Sequence, residues 1–327
     1  MIISKTPYRV SFFGGGTDYP DWYRKFGGEV ISTTIDKYIY ITARYLPPFF
    51  KHKYRIVYSN VETVRRVSDI KHIVVRELIK DSKIKKGIEL HYDGDLPAKS
   101  GMGSSSSFIV GCMNVFLSLN KELNEKKYLA RKSVNFEQNI LKEMVGSQDQ
   151  VAASYGGFNS IKFNRDGSFL VKPIKLKKRI KEKLNERLFL VFTGYQRRAH
   201  DFASLYVKEL STQKIEEMNS IQQHVSISKK YLLNGKLDDF GYLLHENWNK
   251  KKELSKHISS TFIDNIYNKG LKNGALGGKI LGAGGGGFLL FYIDANKIQK
   301  FKKALKNFTI IPFKFENEGS KIIFNND

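Results

Sequence analysis

Cysteine is almost missing from this 327-residue chain: Cys112 stands alone, so no disulfide can form within it. Its place on the apolar face of a predicted helix marks it as a core residue. A chain without cross-links fits a reducing cytoplasm. No run of about eighteen apolar residues occurs, and the opening MIISKTPYRV has no charged stretch followed by an apolar one. Neither a membrane span nor an export signal is expected. The seven histidines show no HExxH or other ligand spacing, which argues against a zinc site. Internal repeats and low-complexity tracts are absent too. Acidic residues are scarce, 32 against 55 basic ones, for a net charge of +23. Nucleic-acid binding is one reading of that excess, and it predicts RNA affinity falling steeply with salt. Yet the lysines of KLKKRIKEK (175–183) and NKKKELSKH (249–257) are mixed with acids and lack interleaved aromatics. They read better as a solvated surface, one that would also concentrate phosphorylated small molecules.

The chain is organised around LPAKSGMGSSSSF, Leu96 to Phe108. Before it, KGIELHY alternates apolar and polar residues at the strand period. After it, Phe108, Ile109, Cys112, Met113, Phe116 and Leu117 recur at helical spacing. Pro97 breaks the strand, Gly101 and Gly103 permit a tight turn, and Ser104 to Ser107 open the helix. Unpaired N–H groups and the positive end of the helix dipole bind phosphate in such a place. Serine hydroxyls there can cap the helix or hold Mg²⁺, and a plain capped helix fits the same letters. A Walker A sequence is excluded, because no lysine follows Gly103.

Near the start, TPYRVSFFGGGTDYPDW reads as a strand through Phe13, then the turn Gly14–Gly16, then Thr17 and Asp18. Arg9 on that strand reads first as a surface residue. Thr63–Lys80 is expected to be helical, as is the whole of Lys126–Val145, stopped by Gly146. Asp149 follows, either as a cap of a short helix or as a site residue, and Glu137 alone would be a solvated helix carboxylate. A polar stretch at 175–186 marks a domain junction. Further helices are expected at Ala199–Tyr206, Ile215–Leu233 and Leu237–Lys256, then strands on either side of the glycine turn Gly282–Gly287. That turn spells GxGxxG, but FLLFYI after it is strand rather than helix, so it is no dinucleotide fingerprint. Asp239–Phe240–Gly241 sits inside a helical pattern with no HRD loop anywhere, and is a coincidence.

Three stretches, PYRVSFFGGGTDY, LPAKSGMGSSSSF and KILGAGGGGFLLF, resemble in order and spacing the motifs of the galacto-, homoserine, mevalonate and phosphomevalonate (GHMP) kinase superfamily. The likeness runs along nearly the whole chain. It implies an α+β fold, with a ribosomal-S5-type ATP-binding domain over 1–183 and a ferredoxin-like domain over 184–327. By this resemblance Pro97, Ser100, Gly101, Met102, Gly103, Ser104, Ser105 and Ser106 bind ATP. Ser105, or its neighbour Ser104, holds Mg²⁺ together with Glu137. Asp149 orients the acceptor hydroxyl and takes its proton, positioning mattering more than basicity in a loose phosphoryl-transfer transition state. Arg9 offsets the developing charge.

Galactokinase-like members carry Glu-His where this chain has Gly15 and Gly16, while Thr17 and Asp18 are kept to bind a sugar. The PYRxSFxGGGTDxPxW form, the SQDQ ending and GALGGKILGAGGGGF look most like the heptose 7-phosphate kinases. Those make the 1,7-bisphosphate on the way to nucleotide-activated heptose for surface polysaccharide. Gly284, Gly285, Arg198, Lys251 and Lys252 are the remaining substrate-binding candidates, the three basic ones for the distal phosphate. The expected partners are ATP and a phosphorylated sugar, with no nucleic acid and no membrane, in a cytoplasmic monomer or homodimer. The alternatives are another sugar 1-kinase of the fucokinase kind, a nucleic-acid-binding protein, or a nucleotide sensor that releases no ADP. The kinase reading requires the serine-lined helix mouth and Asp149 to face each other across one cleft.

Overall fold

The computed structural model describes residues 1–326 apart from 123, 196–202 and 204–205. The eighteen-residue strand β2 (Gly28–Tyr45) runs antiparallel to β1 (Ile2–Phe13) along most of its length. Its first half also pairs with β6 (Phe158–Phe163), and its second half with β5 (Ile88–Gly94). One long strand thus serves two neighbours on the same edge. Beyond β5 the sheet continues through β3 (Tyr54–Val57) and β4 (Val61–Val64), and β7 (Phe169–Pro173) pairs with β6. Val61–Val64 is therefore strand; the helix expected from Thr63 begins only at α2 (Ile73–Asp81). Hairpin pairing with β3 overrides the helical spacing there.

Against this sheet lies α3 (Ser104–Leu119), buried along almost its whole surface. Its apolar content on all sides is what a central helix needs, and Cys112 is fully buried within it. A second, four-stranded antiparallel sheet holds β8 (Leu188–Phe192), β9 (Ala275–Ile280), β10 (Phe288–Ile293) and β11 (Ile310–Ile311). The helices Ile215–Leu233, Leu237–Glu253 and Thr261–Lys272 accompany it. The layers meet through aromatic contacts, Phe12 and Phe13 each packing edge-on against Phe240 at 5.6 and 5.2 Å between ring centres.

The arrangement is α+β, but the chain does not divide cleanly at 183/184. The closing strands β12 (Phe315–Glu316) and β13 (Lys321–Asn325) return to the first sheet, pairing with β2 and β1. The helix expected over Lys126–Val145 is also shorter. Regular α4 (Lys126–Asn135) widens into a π turn at Phe136–Ile140, and the backbone leaves helix after Leu141. Gln138 explains the exit: its amide donates to the Val145 carbonyl and to Ser147 Oγ, pulling the following loop back over the helix end. π turns of this kind recur at functional sites, and this one carries Glu137.

Candidate active site

The phosphate loop closes as its composition requires. Gly101 and Gly103 take positive φ of 80° and 73°, and Gly103 sits immediately before α3 in the left-handed region. A methyl group at 101 would come 2.4 Å from the Leu281 carbonyl oxygen, so only glycine fits. The first N–H groups of α3 then face outward without intrahelical partners. The four serines have four different fates. Ser104 Oγ accepts from the Lys99 N–H at 3.1 Å, and Ser107 Oγ donates to the Pro7 carbonyl at 3.1 Å. Ser106 Oγ donates to Glu137 Oε2 at 2.8 Å, while Ser105 is exposed. The hydroxyl beside Glu137 is therefore that of Ser106, neither Ser105 nor Ser104; successive helical residues turn by about 100°, and the packing of α3 selects which one faces inward.

Glu137 is not solvated. It is fully buried, and Gln150 Nε2 donates to the same Oε2 at 2.5 Å. Burial raises its carboxyl to about 8, against the lowering effect of the Ser106 and Gln150 hydrogen bonds. Among the described residues its other oxygen, Oε1, has no hydrogen-bond partner, nor has Ser100 Oγ in the loop. An orphaned carboxylate oxygen beside a serine hydroxyl is a hard-oxygen donor set. Among the described residues no group of three or more His, Cys, Asp and Glu side chains could hold a metal alone, so a cation here would need phosphate oxygens as co-ligands.

Asp149 lies in the first turn of α5 (Gln148–Tyr155), after Ser147, and caps nothing. Both its oxygens are taken by Arg9, Nε to Oδ1 at 2.6 Å and Nη2 to Oδ2 at 2.5 Å, a fork-to-fork pair. Arg9 is not a surface residue: its side chain is 5% exposed, that of Asp149 23%. The third arm of the guanidinium, Nη1, donates to the Gly101 carbonyl at 2.7 Å, and the Arg9 N–H reaches the Met102 carbonyl at 3.3 Å. A methyl placed on Gly103 would sit 3.2 Å from Asp149 Oδ2. The serine helix mouth and the aspartate thus share one cleft, joined by Arg9. Gln148, held by Ser11 Oγ at 2.9 Å, completes the hold on Asp149 from the other side.

Asp18 is buried next to this pair, accepting the Gly16 N–H at 3.0 Å and the Gln148 N–H at 3.4 Å. Burial and then the Asp149 charge raise its pKa. Gly146 leaves the room it needs, since a methyl there would overlap Asp18 Oδ2. Thr17 is different. Its hydroxyl donates to the Gly14 and Glu29 carbonyls and accepts the Glu29 N–H, so the side chain closes the turn and has nothing left for a ligand. Of the glycines, Gly15 is the less crowded, a methyl group there lying 3.8 Å from Ser11 Oγ in ordinary contact, whereas Met218 fills the space at Gly16, where a methyl group would come 3.2 Å from its sulfur.

The third motif also divides. Gly282 and Gly287 press on the phosphate loop, at Gly101 and Ser100, while Gly284 and Gly285 instead pack on Ile258. Gly285 lines a separate 410 Å³ pocket with Lys256, His257 and Ser260. Lys252 points outward to Asp264 at 3.6 Å and over the Trp248 ring; a helix cannot aim it and its neighbour at the same place. Arg198 lies outside the described residues, as does most of the expected helix Ala199–Tyr206. Sequence reasoning passed over Lys279, which is buried and donates to the Phe12 carbonyl at 3.0 Å. A lysine inside the otherwise apolar run ALGGKIL was the available signal.

A GHMP kinase N-terminal domain model matches residues 67–157, and a GHMP kinase C-terminal model matches 228–310. The chain belongs to the GHMP kinases, and it is a phosphotransferase of the sugar-kinase kind. A D-glycero-alpha-D-manno-heptose 7-phosphate kinase of Campylobacter jejuni is 31% identical, with 98% of each chain covered. A solved D-glycero-D-manno-heptose 1-phosphate kinase from Bacteroides thetaiotaomicron superposes over the full length of both chains with a TM-score of 0.82 at 24% identity. A Lactococcus lactis galactokinase solved with galactose shares the fold at a TM-score of 0.74 and 17% identity, over 98% of this chain and 94% of its own. No helix among the described residues is long and apolar enough to cross a membrane.

Proposed function

We propose that this kinase transfers the γ-phosphoryl of ATP to the anomeric O1 of D-glycero-D-manno-heptose 7-phosphate. The observation that carries the reading is the forked Arg9–Asp149 pair set against the phosphate loop at Gly103. The heptose kinase of Campylobacter jejuni, alike over 98% of both chains, supports the choice of sugar. The triphosphate lies along the loop Ser100–Ser106, its oxygens on the open N–H groups of α3. Ser106 and Glu137 hold Mg²⁺, which when bound neutralises charge on the phosphate oxygens. Asp149 accepts a hydrogen bond from the O1 hydroxyl and takes its proton as the O1–Pγ bond forms. The bond from Pγ to the bridging oxygen breaks, and ADP leaves. Arg9 keeps the carboxylate aimed and adds positive charge beside the phosphoryl in flight. Asp18 accepts from sugar hydroxyls, and the missing side chain at Gly15, where a methyl group would lie 3.8 Å from Ser11 Oγ, makes room for the longer sugar chain. The enzyme works in the cytoplasm, where its product feeds nucleotide-heptose and polysaccharide synthesis.

The test is ADP release across free and phosphorylated heptose, mannose, fucose and galactose, with the product examined by phosphorus NMR. We expect kcat/KM for heptose 7-phosphate to exceed that for any free sugar by about a hundredfold or more, the distal phosphate adding charge-assisted contacts. Equal use of unphosphorylated sugars overturns the assignment.

A further inference from the structure

The last turn of the helix Leu237–Glu253 carries three consecutive lysines, and the middle one behaves unlike its neighbours. Lys250 and Lys252 point outward and pair with Glu253 and Asp264. Lys251 turns inward and is 6% exposed. Its ammonium donates to the Gly282 carbonyl at 2.5 Å, and among the described residues no carboxylate lies within 4.0 Å of it. An ammonium has three donors, and a buried cation without a counter-charge is costly. The position is not an isolated one. Gly282 lies against Gly101 of the phosphate loop, where a methyl at 282 would come 2.8 Å from the Gly101 Cα. The carbonyl of Gly101 in turn receives Arg9. Four charged groups are within electrostatic range: Arg9 from β1, Asp18 from the glycine turn, Asp149 from α5, and Lys279 from β9. Burial holds Lys279 well below the usual lysine range, and the Arg9 charge is already met by the forked Asp149; the Lys251 ammonium is therefore the charge in this cluster that an incoming anion would balance.

We propose that Lys251 is a further catalytic residue, its ammonium contacting the transferred phosphoryl group as a second protein cation beside Arg9. The proposal rests on the kinase reading above. Its place beside Arg9 and Asp149 selects the phosphoryl in flight over the sugar's own phosphate, which sits at the far end of the substrate. A cation there is worth most where negative charge spreads over the phosphoryl oxygens.

The test uses K251M and K251R in the full chain, assayed with whichever sugar the wild type phosphorylates best. K251M is expected to lower kcat about 10²- to 10³-fold while the KM for ATP and for sugar stays within about threefold, the split expected of a contact made in the transition state. A pH profile supplies a readout that a structural role would not move. Burial, and next the Arg9 charge, hold the Lys251 ammonium down at about 8. The charged form is the active one, so wild-type kcat/KM falls as pH rises through that value. Arginine does not titrate there, and K251R removes the falling limb. If K251M does not fold, the K251R profile still decides. A K251M enzyme with kcat within threefold of wild type, or a K251R enzyme with an unchanged alkaline limb, overturns the proposal. D149A run in parallel separates the two claims: if it stays active, the whole site assignment has failed, whereas an inactive D149A beside an active K251M sinks this inference alone.

Discussion

Glu137 and Asp149 put the same functional group into opposite surroundings within one cleft. Glu137 stands in the π turn, fully buried; among the described residues its carboxyl is hydrogen-bonded only by the neutral donors Ser106 and Gln150, with one oxygen unpartnered. Asp149 opens onto the cleft with a guanidinium across both oxygens. Burial favours the protonated carboxyl and outweighs the opposing hydrogen bonds from Ser106 and Gln150, which leaves Glu137 waiting for a cation. A forked arginine fixes direction as well as charge, so Asp149 is held at one angle while its remaining lone pairs face the acceptor. The neighbours, and not the carboxylates, set the two roles.

The sharpest way to break this contrast is to remove the aimed carboxylate. D149A is expected to lower kcat by about 10³-fold while ATP affinity, followed by calorimetry, changes by less than threefold. Residual activity within tenfold of wild type would return Asp149 to an ordinary first-turn residue.

A smaller effect is expected at Glu137, and it should appear in stability as well as in rate. A carboxyl whose folded pKa is raised favours the protonated state of the fold. Stability is then lost as pH rises from the unfolded value of 4.5 towards about 8, by up to about 1.4 kcal/mol per pH unit. Without nucleotide or metal, the Tm of the wild type should decline across that window, and E137Q should flatten the decline. In the same variant the Mg²⁺ concentration for half-maximal rate should rise about tenfold or more, as a carboxylate ligand is lost. A wild-type Tm that is level from pH 5 to 8 contradicts the contrast between the two carboxylates.

The smallest effect separates two adjacent serines. S106A removes the hydroxyl bonded to Glu137 and should cost about 1 kcal/mol of stability with roughly a tenfold drop in rate. S105A should leave both within threefold and within about 0.5 kcal/mol, as exposed substitutions usually do. Equal penalties for the two, by melting and ADP release, would show that the inward hydroxyl has no special part.

Much of the site was legible because it is local in the chain. A strand, a glycine turn with positive φ and a serine-rich helix start are dictated within a dozen residues around Gly101 and Gly103, and they make an anion mouth wherever they fold. The same holds for the glycine turn after β1 and for Asp149 next to a helix start. The choices between neighbours were not local. Ser105 and Ser106 have identical chemistry, as do Lys251 and Lys252, and which of each pair faces inward follows from the rotation of a whole helix against its sheet. Methyl-free Gly277 lets the Leu237–Glu253 helix approach β9 backbone to backbone, 2.0 Å from the Gly241 oxygen for any added methyl, and that contact sets the rotation of Lys251.

Composition and short-range pattern thus specify the phosphate mouth, the buried serine helix and the acidic residues near it, since backbone sterics and helix dipoles act over a few residues. Contacts between residues more than a hundred positions apart decided the rest: Arg9 chelating Asp149, Lys279 reaching Phe12, and the last strands returning to the first sheet. Their geometry exists only once both sheets have packed, because charge and hydrogen bonding depend on distance in space and not along the chain.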